Sequence, residues 1–297
     1  MRIDNAQLSA FAAVVSEGTF ELAARKLHVT ASAISQRIKL LEDRLGQVLI
    51  QRSTPCQPTA AGRVVLRYAT AVQLLEAEML AGLGMPLEGS AATVRLPIAV
   101  NADSLDSWFA NVFQTVAQHG GIALDVRTED QDHSVALLRE GAVMGAVSAS
   151  AQALQGCSVE PLGVMRYWAV ASPAFVAIHF AHGVRAKALQ TAPMLMFNRK
   201  DALQGLFLQK LTATPVQPPV HWVPSTHAFM QAACAGLAWG MVPQQMAAPA
   251  VAAGILQHLA PRHRLDVPLY WHRWRLGSQA LDALSGMVRQ AAAHALG

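Results

Sequence analysis

The sequence predicts an α + α/β chain in three parts: a small helical module, one long helix, and a larger domain of two α/β lobes. Three observations predict it. Short helical stripes with matched ends crowd the first 46 residues, a 3,4 apolar repeat runs unbroken after residue 59, and beyond residue 93 apolar strand runs alternate with helical ones.

The helical module comes first. Leu8, Phe11, Ala12 and Val15 make one stripe, Phe20, Ala23, Ala24 and Leu27 a second, and Ile34, Ile38, Leu41 and Leu45 a third. Thr19 and Thr30 stand where an N-cap oxygen is wanted, and Gly18 and Gly46 where a helix ends in a left-handed residue. The second and third stripes are separated by a three-residue turn, which is the spacing of a helix-turn-helix. His28 is expected to pack at that turn. Outside the core, the third helix leaves Ser32, Ser35, Gln36 and Lys39 along one edge, with Arg37 at its flank and Thr30 at its start. Hydroxyl and amide groups exchange hydrogen bonds with base edges, and guanidinium and ammonium groups grip guanine or phosphate. The charge agrees: from Phe20 to Arg67 there are eight basic and three acidic residues, an excess of five, against +4 for all 297 residues. A local basic excess of this kind suits a module that meets double-stranded DNA.

Val48 to Arg52 reads as a short strand, and the Ser-Thr-Pro-Cys-Gln-Pro run up to Thr59 as a turn. Together they make a candidate wing, from which Arg52, Thr54 and Thr59 reach the DNA backbone or a minor groove; a plain surface hairpin is the other reading. From Thr59 a helix runs to about Gly82, roughly 36 Å at about 1.5 Å per residue. Val65, Tyr68, Val72, Leu75 and Met79 repeat along it at coiled-coil spacing, so the helix is expected to pair with a second copy. Domain limits of 1–58, 59–82, a hinge at 83–92 and 93–297 follow.

In the last part, strands are expected at Val94–Val100, Ile122–Thr128 and Val143–Val147, with helices over Trp108–Val116 and Val135–Leu138. This alternation predicts parallel pairing. A second set follows from about residue 166 to 267, and a strand at Leu269–Leu276 and a helix from Gln279 close the chain. The limits are lobe I at about 93–162 and 268–297, and lobe II at about 163–267. Asn101, Asp103 and Ser104 fall between a strand and a helix expected near Leu105, at the carboxyl end of the strand, where open α/β sheets bind ligands. A ligand carboxylate at that helix start and simple capping by Asp103 or Ser104 are both open. Glu129, Asp130 and Asp132 form an acidic run that suits an ammonium or guanidinium group, and Asn198, Asp201, Ser225 and Thr226 are candidates for the facing wall. Trp108, Trp222 and Trp239 are read as packing residues, and His133, His221 and His272 as surface or helix-start residues.

Composition excludes several classes. Hydrophobic residues make up 53% and charged residues 14%, enough for large cores. Three distant cysteines, Cys56, Cys157 and Cys234, make neither a disulfide framework nor a metal clamp. No apolar stretch is long enough for a membrane span, and no export signal is evident, so a cytoplasmic protein is expected. Metal-binding histidine pairs, phosphate loops and nucleophile elbows are missing from the sequence, so neither an enzyme nor a cofactor is expected. A sequence-tolerant architectural DNA binder is the competing class.

On the segments Ala-Ser-Ala-Ile-Ser-Gln-Arg-Ile-Lys-Leu-Leu-Glu (31–42) and Pro-Thr-Ala-Ala-Gly (58–62), the chain resembles the LysR-type transcriptional regulators. Ala-Val-Asn-Ala-Asp-Ser (99–104), Glu-Asp-Gln-Asp-His (129–133) and Gly-Val-Met-Arg-Tyr (163–167) are similar to its ArgP or LysG branch. The resemblance implies a winged helix-turn-helix, a dimerising linker helix and a periplasmic-binding-protein-like effector domain. It further implies L-lysine or L-arginine as effector, activation of an amino-acid exporter gene, a homodimer assembling as a dimer of dimers, and contact with RNA polymerase. One departure is Leu49-Ile50 and Pro58-Thr59, where the wider family has Leu-Phe and Leu-Thr.

Overall fold

The computed structural model describes residues 3–85, 93–128 and 131–296. The module consists of α1 (Asn5–Glu17), α2 (Phe20–Lys26) and α3 (Ala31–Leu45), followed by a two-strand wing, β1 (Ile50–Gln51) antiparallel to β2 (Gln57–Pro58). Thr19 and Thr30 accept from the backbone N–H of Leu22 and Ala33, and Gly18 and Gly46 end their helices at φ 76° and 65°. Phe11, Val14, Ala23, Ile34, Ile38 and Leu41 close the core with Leu49 of the wing. His28 departs from expectation. It is exposed at φ 52° because the tight turn asks for a left-handed residue there, which directs the ring outward. The wing tip folds back on the start of α2: Cys56 N–H donates to Gly18 O at 2.7 Å, which buries the thiol.

The long helix α4 (Ala60–Gly82) begins against the wing. A Cβ on Gly62 would stand 2.1 Å from Leu49 O, so only glycine lets this first turn approach so closely. One face of α4 buries Leu66 in the core of the module and Leu74 in the core of the second domain. Tyr68, Leu75 and Met79 of the 3,4 repeat lie on its exposed side.

The second domain begins with β3 (Val94–Val100), α5 (Ala102–Leu105), α6 (Ala110–His119), β4 (Ile122–Thr128), α7 (Gln131–Glu140) and β5 (Gly145–Ser148). There β3 pairs in parallel with β4 and β5, as the alternation predicts. Two helices, α5 and α6, replace the single helix expected from Trp108, because Trp108 and Phe109 turn inward between them and are buried. Next come β6 (Cys157–Ala171), α8 (Pro173–His179), α9 (Ala186–Thr191), β7 (Met194–Met196), α10 (Leu203–Leu211), β8 (Val220–Trp222), α11 (Thr226–Cys234) and β9 (Gly240–Pro243). The chain ends with α12 (Gln244–Ala252), β10 (Gln257–His258), β11 (Leu265–Trp274) and α13 (Gln279–Ala295).

Parallel pairing recurs between β7 and β8 in the second lobe, but not along the strands that join the two lobes. β6 and β11 pair with each other antiparallel along nearly their whole lengths, β11 also joins β5, and β9 and β10 flank β6, all antiparallel. The two long strands carry one sheet from the β3–β4–β5 lobe into the lobe that holds α8 to α12. Their register slips at Leu162, opposite Leu269 and Tyr270, next to Gly163 at φ 128°. A bulge at this point bends and twists the strands between lobes. His272 is another correction: it lies on β11 fully buried, its Nε2 2.8 Å from Ser150 O, because β11 there runs between β5 and β6 with both faces covered, neighbouring Trp271 being buried as well.

Candidate functional site

Two surfaces are candidates for function. On α3, Ser32, Gln36 and Lys39 are exposed and Ser35 and Arg37 half-buried. Positions 32, 35, 36 and 39 stack along one side of the helix, while Ile34, Ile38 and Leu41 hold the other in the core. Glu42 supplies a feature that sequence reasoning missed: its Oε1 accepts from Leu49 N–H at 2.7 Å and, more weakly, from Ile50 N–H at 3.4 Å, tying the wing to α3. A glutamate one turn before a helix end gives no sequence signal for such a long-range bond. Arg52 and Thr54 are exposed on the wing, and the Arg52 guanidinium sits 5.4 Å from the Phe20 ring centre. Thr30 caps α3. Thr59 accepts from Gly62 N–H and donates to Val48 O, so its hydroxyl is engaged in joining wing to helix.

The second surface is a cavity of about 570 Å³ between the lobes of the second domain. Asn101, Asp103 and Thr128 line it from one side, and Asn198, Asp201 and Thr226 from the other, with Phe197, Leu206, Phe229 and Met241 as apolar wall. Asp103 joins the sides. Tyr167 Oη on β6 donates to its Oδ2 at 2.6 Å, and Thr226 Oγ1, at the start of α11, donates to its Oδ1 at 2.9 Å. Burial raises the Asp103 pKa above the usual aspartate value, while these two hydrogen bonds oppose the rise. Burial, with the Asp103 charge beside it, also pushes the Tyr167 hydroxyl well above its ordinary value. Asn101 lines the cavity, is buried and makes no cap bond, and its Oδ1 is buried without a partner.

The other expected residues divide. Asn198 and Asp201 line the cavity, yet each also shapes the backbone: Asn198 Oδ1 accepts from Lys200 and Asp201 N–H, and Asp201 from Phe197 and Leu203 N–H. Ser225 caps α11 through Ala228 N–H. Ser104 lies beneath the cavity, fully buried, its Oγ without a partner. α5 has only four residues, so it offers no extended helix start for a carboxylate. Neither Asp103 nor Ser104 caps it. Glu129 and Asp130 lie outside the described residues, as does the side chain of Asp132, whose backbone belongs to α7. Trp108 and Trp239 are packed inside, but Trp222, the last residue of β8, is 47% exposed, with the Arg199 guanidinium 5.6 Å from its ring centre. Among the described residues no group of three metal-binding side chains occurs.

Residues 6–63 match the family described as bacterial regulatory helix-turn-helix protein, lysR family, and residues 91–293 match the LysR substrate binding domain. The chain belongs to the LysR family. Similar proteins are transcriptional regulators, not enzymes, and so is this LysR-family chain. Its structure is similar to the crystal structure of ArgP from Mycobacterium tuberculosis, with 47% identity, 98% of each chain covered and a TM-score of 0.85. The lysine export transcriptional regulatory protein LysG of Corynebacterium glutamicum is 41% identical over 98% of both chains. Its full-length structure with bound effector Arg shares 39% identity, covers 99% of each chain and gives a TM-score of 0.78. The helix-turn-helix match thus falls on α1 to the first turn of α4, and the substrate-binding match on the two lobes.

Proposed function

We propose that this LysR-family regulator takes a basic amino acid, L-lysine or L-arginine, into the cavity between its lobes and controls, as an activator, the gene of an exporter for that amino acid. The observation that carries the reading is that one wall holds both Asn101, whose Oδ1 is buried without a partner, and the Asp103 carboxylate. A cationic group can donate to the first and neutralise the second, which a burial-strained carboxylate favours. Support comes from the arginine in the LysG structure and from the lysine-export name of that relative. Asn101, Asp103 and Thr226 are the proposed ligand contacts, with Asn198 and Asp201 on the facing wall.

At the DNA end the proposed contacts are Ser32, Ser35, Gln36 and Arg37 in a major groove, and Lys39, Arg52 and Thr54 on the backbone beside it. Two copies joined along the exposed seam of α4 address a two-fold site, and two such dimers assemble on a promoter in the cytoplasm with RNA polymerase. No described helix is long and apolar enough to cross a membrane.

Calorimetric titration with L-lysine and L-arginine, beside glutamate and phenylalanine, tests the effector. Saturable binding of a basic amino acid alone is expected. Binding of glutamate or phenylalanine in preference, or of none of the four, overturns the reading.

A further inference from the structure

The linker helix is held on the ligand-binding domain by a contact 200 residues away in sequence. Glu78, in the last turns of α4, accepts from Ser278 Oγ at 2.5 Å and from Ala280 N–H at 2.9 Å, while Ser278 Oγ itself accepts from Leu281 N–H. The start of α13 is thus capped twice, once by its own serine and once by a carboxylate from α4, and a negative charge at a helix N-terminus is favourable. A second pin lies eleven residues earlier on α4, about 16 Å away at roughly 1.5 Å per residue. Gly141, which follows α7 at φ 82°, sits against Arg67 so closely that a Cβ there would stand 2.5 Å from Arg67 Cγ. Between the two pins Leu74 is buried in the domain core.

One buried leucine lets a helix pivot; two pins on either side of it do not. Both pins belong to lobe I, and the exposed residues of the seam proposed to meet the second copy, Tyr68, Leu75 and Met79, lie about a quarter-turn round α4 from them. We infer that Glu78 is a positioning residue for DNA binding: by clamping α4 to the start of α13 it fixes the angle between reader and lobe I, and so the spacing of two readers in a dimer. The clamp uses Glu78 as an acceptor, so glutamine, which keeps an acceptor oxygen, preserves it and alanine abolishes it.

The experiment compares full-length wild type, Glu78→Ala and Glu78→Gln on two duplexes. One carries both half-sites of an operator selected from random DNA, and the other a single half-site. Glu78→Ala is expected to bind the complete operator at least five-fold more weakly and the single half-site within two-fold of wild type, with Glu78→Gln restoring the complete-site affinity. Equal affinity of alanine variant and wild type on both duplexes, equal loss on both, or a glutamine variant as weak as alanine overturns the inference. If the alanine variant does not fold, Ser278→Ala, which removes one of the two donors, is read in the same way. Repeating the titrations with arginine adds a second arm that rests on the proposed effector: the ratio of operator affinities with and without arginine should move toward one in Glu78→Ala. If arginine and lysine leave wild type unchanged, the effector reading fails, and the half-site comparison still decides the role of Glu78.

Discussion

Asp103 is the residue on which the proposed ligand site turns. Its two oxygens are held by Tyr167 and Thr226, both hydroxyl donors, and its cost is burial. Asp103→Asn keeps the shape and lets both hydroxyls reorient, but removes the charge. The expected result is a tenfold or greater rise in the Kd for arginine, about 1.4 kcal/mol or more, with the fold retained by circular dichroism. The pH dependence has two opposite signs. Because the folded pKa is raised, the native state holds this proton to higher pH than the unfolded chain, so the contribution of Asp103 to stability is present at low pH and lost as pH rises through the window between the ordinary and raised values. Affinity for a cation runs the other way, rising through the same window as Asp103 ionises. Binding should therefore release protons there, seen as a calorimetric enthalpy that changes with the ionisation heat of the buffer. At the other end of the chain, Ser35→Ala should weaken binding to the selected operator by about 1–3 kcal/mol while affinity for unrelated DNA stays within two-fold. Equal loss on both duplexes in a shift assay would make Ser35 a phosphate contact instead.

Among the elements, α4 does most with one sequence pattern. Its exposed seam at Tyr68, Leu75 and Met79 has no cover among the described residues, and replacing Leu75 and Met79 together by glutamate should dissociate the proposed dimer, as sedimentation would show by halving the mass. The same helix shows where legibility ended. Caps, stripes and turn length made α1 to α3 readable because each is local, set by residues three or four apart. β3, β4 and α13 were readable from their runs for the same reason. What escaped was long-range: the antiparallel course of β6 and β11, the burial of His272, Glu42 bonding the wing, and Glu78 reaching α13. The cavity was legible as chemistry at Asn101, Asp103, Asn198, Asp201 and Thr226, residues that stand at the ends of elements. Tyr167 was missed as a site residue because, in the middle of a strand, it looks like any other core aromatic.

At the scale of the molecule, charge is partitioned. A net +4 conceals a stretch from Phe20 to Arg67 with an excess of five, so the remainder is close to neutral and DNA affinity should depend on salt through the reader alone. Lys39→Ala is expected to lower the slope of log K against log salt by about 0.9, the value for one lost phosphate contact on duplex DNA, with sequence preference unchanged. An unaltered slope would place Lys39 on a base. The bulge at Leu162 sets out another property of the whole. The chain leaves lobe I at Gly163 and re-enters at Leu269, and those two residues are neighbours across the sheet. Everything between is an inserted cassette whose ends meet. One contiguous exchange can therefore bring a new facing wall to the cavity while the reader, the long helix and the Asn101–Asp103 wall keep their own covalent frame. Such a layout lets ligand preference diversify by recombination of a single segment, without renegotiating how the protein holds DNA.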